Sequence, residues 1–193
     1  STSGVTAKSD TQVTAFVQAV AEAASADKDI AAYYRSVEFQ PLWTGKGKEF
    51  RDRRRALFDA LERSDEHGLV PAHYDIAGLK AQIRSARTKR DLGLVEVKIS
   101  ETFLDYARDI QTGILTPSRI DDGLVRKVPY RNREANLANF QESDPEKFIK
   151  TLAPNTPEYA RLRKEKLLLE RQLGRGGWGA PIRAKKLEPG DQG

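Results

Sequence analysis

The stretch DLGLVEVKISETFLDYARDIQTG, residues 91–113, decides the fold class. Leu92, Val95, Ile99, Phe103 and Ile110 recur at helical spacing close to one face. Leu94, Val97, Leu104 and Ala107 make part of a second apolar face. A helix that is apolar on more than one face lies among other helices rather than on a surface. Gly113 ends the pattern and Pro117 follows, as at a helix stop.

Working outward, the flanking segments repeat the same logic. Val13, Phe16, Val17 and Val20 predict a helix opened by Asp10 or Thr11. Asp27 and Asp29 open a second through Ile30, Tyr33, Tyr34 and Val37, which Pro41 stops. Phe39-Gln40-Pro41-Leu42-Trp43 then reads as an apolar clasp, and Thr44-Gly45-Lys46-Gly47-Lys48 as a loop. A third helix is expected from about Glu49 to Ser64, with Phe50, Leu57, Phe58 and Leu61 inward. Gly68 and Pro71 follow it. Asp75 caps a short fourth helix with Ile76, Leu79 and Ile83 inward. Residues 118–132 read as a long polar connection. Two short helices come next, about 133–142 and 144–152. Thr156-Pro157-Glu158 opens the last one, which carries Tyr159, Leu162, Leu169 and Leu173. No segment alternates like a strand. The expectation is an all-α, compact bundle of about seven to eight helices. Its domains read as a flexible N-terminus over 1–9, a helical domain over 10–174, and a linker over 175–193 leading out of the domain.

Composition narrows the function. The 193 residues are 38% hydrophobic and 32% charged, with a net charge of +5 and no cysteine. A core is affordable at that length. Disulfides, thiolate metal sites and cysteine nucleophiles are excluded within this chain. Only His67 and His73 are present, too few for a histidine-rich metal site. No apolar run reaches membrane-spanning length. The chain also holds no methionine, so Ser1 reads as a processed or cut end, at which any leader would have been lost. Residues 1–48 carry five basic and five acidic groups, whereas residues 151–193 carry nine and five. The basic excess therefore sits at the C-terminal end. Arg161, Lys164, Arg171, Arg175 and Trp178 are the candidate contacts to a glycan or protein partner. A solvated helix face followed by a basic linker explains the same charges.

Other constellations have bland readings beside sharp ones. Glu101, Asp105 and Asp109 share a helix face, as paired carboxylates or as a solvated stripe with Arg108. Asp65, Glu66, His67 and His73 surround a helix end, where histidines commonly cap carbonyls. Gly45-Lys46-Gly47-Lys48 lacks the spacing of a phosphate loop. Arg51, Arg53, Arg54 and Arg55 crowd one helix start, but near-balanced charge through residue 150 argues against nucleic acid. Tyr33, Tyr34, Phe39, Trp43 and Trp178 suit sugar stacking or a core. No catalytic, cofactor or metal residue is assigned.

Four stretches in order carry a family resemblance. They are Tyr34-Arg35-Ser36-Val37-Glu38-Phe39-Gln40-Pro41-Leu42-Trp43, His67-Gly68-Leu69-Val70-Pro71-Ala72-His73-Tyr74, Phe103 to Gly113, and Leu152 to Leu162. Together they resemble the helical scaffold domain of large periplasmic L,D-transpeptidases from Gram-negative bacteria. Gly176-Gly177-Trp178 and Leu187-Glu188-Pro189-Gly190-Asp191 resemble that family's passage into a peptidoglycan-binding module. The resemblance spans roughly residues 28–191. It implies a periplasmic parent enzyme, a transferase of cell-wall biogenesis that cross-links peptidoglycan stem peptides. In that family a cysteine in a Ser-x-Gly-Cys setting attacks the donor and a histidine activates it. Without a cysteine, none of those residues can be carried onto this chain. The implied role is a non-catalytic scaffold module that positions adjacent catalytic and peptidoglycan-binding domains. The competing reading is a free-standing periplasmic adaptor that binds peptidoglycan or a protein partner.

Overall fold

The computed structural model describes residues 6–112 and 132–177. Among them are eight α-helices and no strand. The helices are α1 (Thr6–Ala24), α2 (Lys28–Ser36), α3 (Lys48–Glu62), α4 (Ile76–Ser85), α5 (Lys89–Thr112), α6 (Arg133–Glu142), α7 (Pro145–Leu152) and α8 (Pro157–Gly174). Two short 3-10 turns, Ser64–His67 and Pro71–Tyr74, join α3 to α4. The all-α expectation stands. The chain divides into two compact units, the first ending at Pro154 and the second beginning at Asn155. The expected helical range 10–174 therefore spans the first unit and α8 of the second. Residues 1–5, 113–131 and 178–193 lie outside the described residues, and with them most of the expected flexible end, connection and linker.

In the first unit α5 is central, as its two apolar faces require. It packs against α1, α2, α4, α6 and α7. Val95, Ile99, Phe103 and Ile110 are buried, and so are Val97, Leu104 and Ala107 on the second face. Leu94 departs from the expectation and is exposed, because it falls on the solvent side of the helix beside Lys98. The approach of α1 to α5 is close. A Cβ on Gly93 would come within 2.8 Å of the Phe16 carbonyl oxygen and of the Ala19 methyl. Only a residue with no side chain fits there without displacing α1.

Local chemistry sets the helix ends. Asp27 caps α2, accepting from the Asp29 and Ile30 N–H groups at 3.0 and 3.2 Å. Gly68 ends the first 3-10 turn in the left-handed region, φ 79°. Asp144 caps α7 through the Lys147 N–H. Arg133 of α6 reaches back to Asp27 at 2.7 Å and Asp29 at 3.4 Å, tying α6 to the start of α2.

An aromatic cluster fills the space between α5, α6, α7 and the clasp. Trp43 stacks on Phe140 with centroids 5.1 Å apart, and Phe103 lies 4.8 Å from the same ring. Phe148 closes the group at 5.7 Å from Phe140. Such pairs contribute about 0.5–1.5 kcal/mol each beyond the area they bury.

Candidate functional site

The clasp is fixed from below by one buried carboxylate. After α2 the backbone takes two consecutive left-handed residues, Glu38 at φ 52° and Phe39 at φ 57°. This reversal turns Leu42, Trp43 and Thr44 over α5. Glu96 there is fully buried. It accepts from the Leu42 N–H at 2.6 Å, the Trp43 N–H at 3.1 Å and the Thr44 N–H at 2.8 Å. The Thr44 hydroxyl adds 2.7 Å and the Tyr34 hydroxyl 2.9 Å. A carboxylate has about four lone-pair directions, so its capacity is filled.

The hydroxyls around it form an ordered chain. Trp43 Nε1–H donates to Ser100 Oγ at 2.9 Å. Tyr34 donates its only proton to Glu96, so Ser100 is the donor in their 2.8 Å contact. Burial pushes the Glu96 carboxyl above the usual carboxylate range, and the donors from Leu42, Thr44 and Tyr34 pull it back. Burial likewise raises the Tyr34 phenol well above its ordinary value, with the Glu96 charge adding to it.

This network answers two of the sharp readings. Arg53 donates to the Leu42 carbonyl at 3.2 Å and to the Gln141 carbonyl at 3.1 Å, and Arg54 donates to the Trp43 carbonyl. Arg55 pairs with Asp52. Those arginines hold the clasp and helix α3 rather than presenting a phosphate grip. Tyr33, Tyr34 and Trp43 are fully buried core, closed to a sugar. Phe39 is half-buried, and Trp178 lies outside the described residues.

The carboxylate stripe on α5 is spent on ion pairs. Lys98 meets Glu101 at 3.2 Å, and Arg108 meets Asp105 at 3.3 Å and Asp109 at 3.0 Å. Tyr74 donates to Asp109 at 2.9 Å. Among the described residues no group of His, Asp and Glu is placed to hold a metal ion. His73 is exposed, its ring edge-on to Tyr74 with centroids 5.4 Å apart.

The candidate site that remains open to a partner is on α8. Thr156 caps this helix by accepting the Tyr159 N–H at 3.2 Å, and Pro157 occupies its first turn. Arg161, Lys164 and Arg171 of this helix, and Arg175, which caps its C-terminal end, are all exposed. Their spacing of three and four residues keeps them, with Leu168 among them, within about 80° of the helix circumference. The stripe runs about 21 Å along the axis at 1.5 Å per residue. Glu158, Glu165 and Glu170 fall outside it. Among the described residues no ion pair neutralises these four cations. The sequence names these four residues as candidates, and the helix supplies their alignment. Sequence reasoning missed Glu96, although a lone acid between Val95 and Val97 in the most apolar helix was its signal.

No curated protein and no solved structure matches the chain. A family model described as Scaffold domain matches residues 28–165. That range takes in the capped start of α2, the clasp, all of α5 and half of α8, and is well over half of the sequence. The chain therefore belongs to the scaffold domain family.

Proposed function

We propose that this chain is the non-catalytic helical scaffold module of a periplasmic cell-wall L,D-transpeptidase. In this reading it positions catalytic and peptidoglycan-binding domains that carry out stem-peptide cross-linking elsewhere in the parent protein. The observation that carries it is the scaffold-family match over the segment that holds most of the ordered motifs. The buried hub supports it, because charged and polar groups are used to lock the clasp rather than to face a substrate. The basic stripe of α8 supplies a contact for the anionic groups of peptidoglycan, by charge rather than by a shaped pocket.

The experiment is pelleting of the purified chain with isolated sacculi across a salt series. Contacts between exposed charges weaken as the Debye length falls, so binding is expected at low salt and lost near 0.3 M, on the order of a 6 Å screening length. Arg161→Glu with Arg171→Glu should lose binding at low salt while unfolding normally. Absence of binding at every salt sinks the glycan contact. Peptide mass spectrometry of the native protein tests the parentage: a Ser-x-Gly-Cys peptide in the same polypeptide supports the transpeptidase reading. A native protein without one leaves the free-standing adaptor.

A further inference from the structure

Helix α8 has a second exposed feature, away from the basic stripe. Leu162, Leu169 and Leu173 are 67%, 48% and 65% exposed. At 3.6 residues per turn they lie within about 40° of one another. Their centre is roughly 140° around the helix from the centre of the basic stripe. Single exposed leucines need no explanation, but three on one face of one helix form a contact surface.

The residues beside the leucines decide what fits. Tyr159, Leu162, Lys166, Leu169 and Leu173 follow the three-four spacing of a coiled-coil seam. Lys166 and Glu170 form an ion pair along one flank, which also carries Arg163, and Glu165 and Gln172 occupy the other. Parallel pairing with a second copy sets Lys166 against Lys166 inside the seam and Glu165 against Glu170 across it. Both are like-charge contacts. Antiparallel pairing about a two-fold axis at the level of residue 168 removes the Glu165–Glu170 contact and offsets the two Lys166 groups by about 6 Å along the axis. Leu162 then meets Leu173 of the second copy, the two Leu169 side chains lie near the axis, and Lys166 faces Glu170. Glu165 faces Gln172, an amide donor. The two-fold repeats each pairing, so one surface is complementary to itself.

We infer that two copies of this chain associate antiparallel through Leu162, Leu169 and Leu173 of α8. Three leucines per copy fall short of the roughly 800 Å² per partner of a standard interface, so the dimer is a weak one. The two basic stripes stay uncovered, which makes the dimer bivalent toward a polymer. The pairing does not depend on what those stripes bind.

Sedimentation velocity of the full chain over about 5–500 µM should show a monomer–dimer equilibrium. Leu169→Glu should weaken it at least about tenfold, and Leu169→Ala less, with helix content unchanged by circular dichroism. The absence of cysteine makes the orientation readable by oxidation of single-cysteine variants. Leu169→Cys should cross-link to itself. Leu162→Cys and Leu173→Cys should cross-link efficiently only when mixed. A monomer at every concentration overturns the inference. So does a dimer indifferent to Leu169→Glu, or self-cross-linking of Leu162→Cys that matches the mixture.

Discussion

Glu96 shows how one side chain can fix a segment remote in sequence. Its five donors come from Tyr34, Leu42, Trp43 and Thr44, more than fifty residues upstream. Glu96→Gln keeps one acceptor oxygen but sets an amide NH₂ against backbone N–H groups, and should cost about 2–4 kcal/mol in urea unfolding. Glu96→Ala should cost at least as much and shift Trp43 fluorescence toward that of exposed indole. An unchanged midpoint for both would remove the hub from the account of the fold. Asp27 allows a pH prediction. Burial works to raise its carboxyl, but hydrogen bonds from Arg133 and from the Ile30 and Asp29 N–H groups hold it below the usual value. A depressed carboxylate contributes stability that is present above its unfolded pKa and lost as pH falls through the folded one. Thermal unfolding between about pH 5 and 2 should therefore be less acid-sensitive in Asp27→Asn than in the unmodified chain. Parallel acid limbs would contradict this.

At the scale of elements, two helices carry their roles in different ways. α5 is placed by packing on two faces, and its contact with α1 depends on Gly93. Gly93→Ala gains helix propensity of about 1 kcal/mol but forces a methyl to 2.8 Å from the Phe16 carbonyl oxygen. Overpacking of that kind costs typically 1–3 kcal/mol, so a net loss of stability is expected by thermal denaturation. A higher melting temperature would mean that α1 shifts freely. α8 is placed by its caps and its intrahelical pairs, and none of its residues is buried. Arg161→Glu and Arg171→Glu should each change stability by less than about 0.5 kcal/mol, as exposed substitutions do. Their effect belongs to binding, which the sacculus assay reads separately.

For the whole molecule, every buried core residue among the described residues lies at or before Leu152. The first compact unit ends two residues later, at Pro154. A chain ended at Pro154 should therefore unfold cooperatively, with a melting temperature within about 2–4 °C of the full chain, the shift that roughly 1 kcal/mol produces at this size. Loss of cooperative unfolding would show that α8 completes the fold. The scaffold role fits this organisation: a folded unit whose helices pair across long stretches of sequence, followed by a helix whose cations and leucines are exposed.

Much of the architecture was legible in the sequence because helices announce themselves locally. Period, caps and breakers made α2, α4, α5, α6 and α7 legible through Asp27, Asp75 and the apolar spacing, all read within a window of a few turns. The four cations of α8 were named from composition alone. Tertiary structure decided what those residues are for. It buried Glu96 and turned Arg53 and Arg54 onto the clasp carbonyls, away from any phosphate. It also left Leu162, Leu169 and Leu173 exposed although their spacing reads like that of a core helix. The physical reason is one of range. Helical period and capping are set by neighbours along the chain, whereas burial and hydrogen-bond partnership are set by which elements arrive from elsewhere.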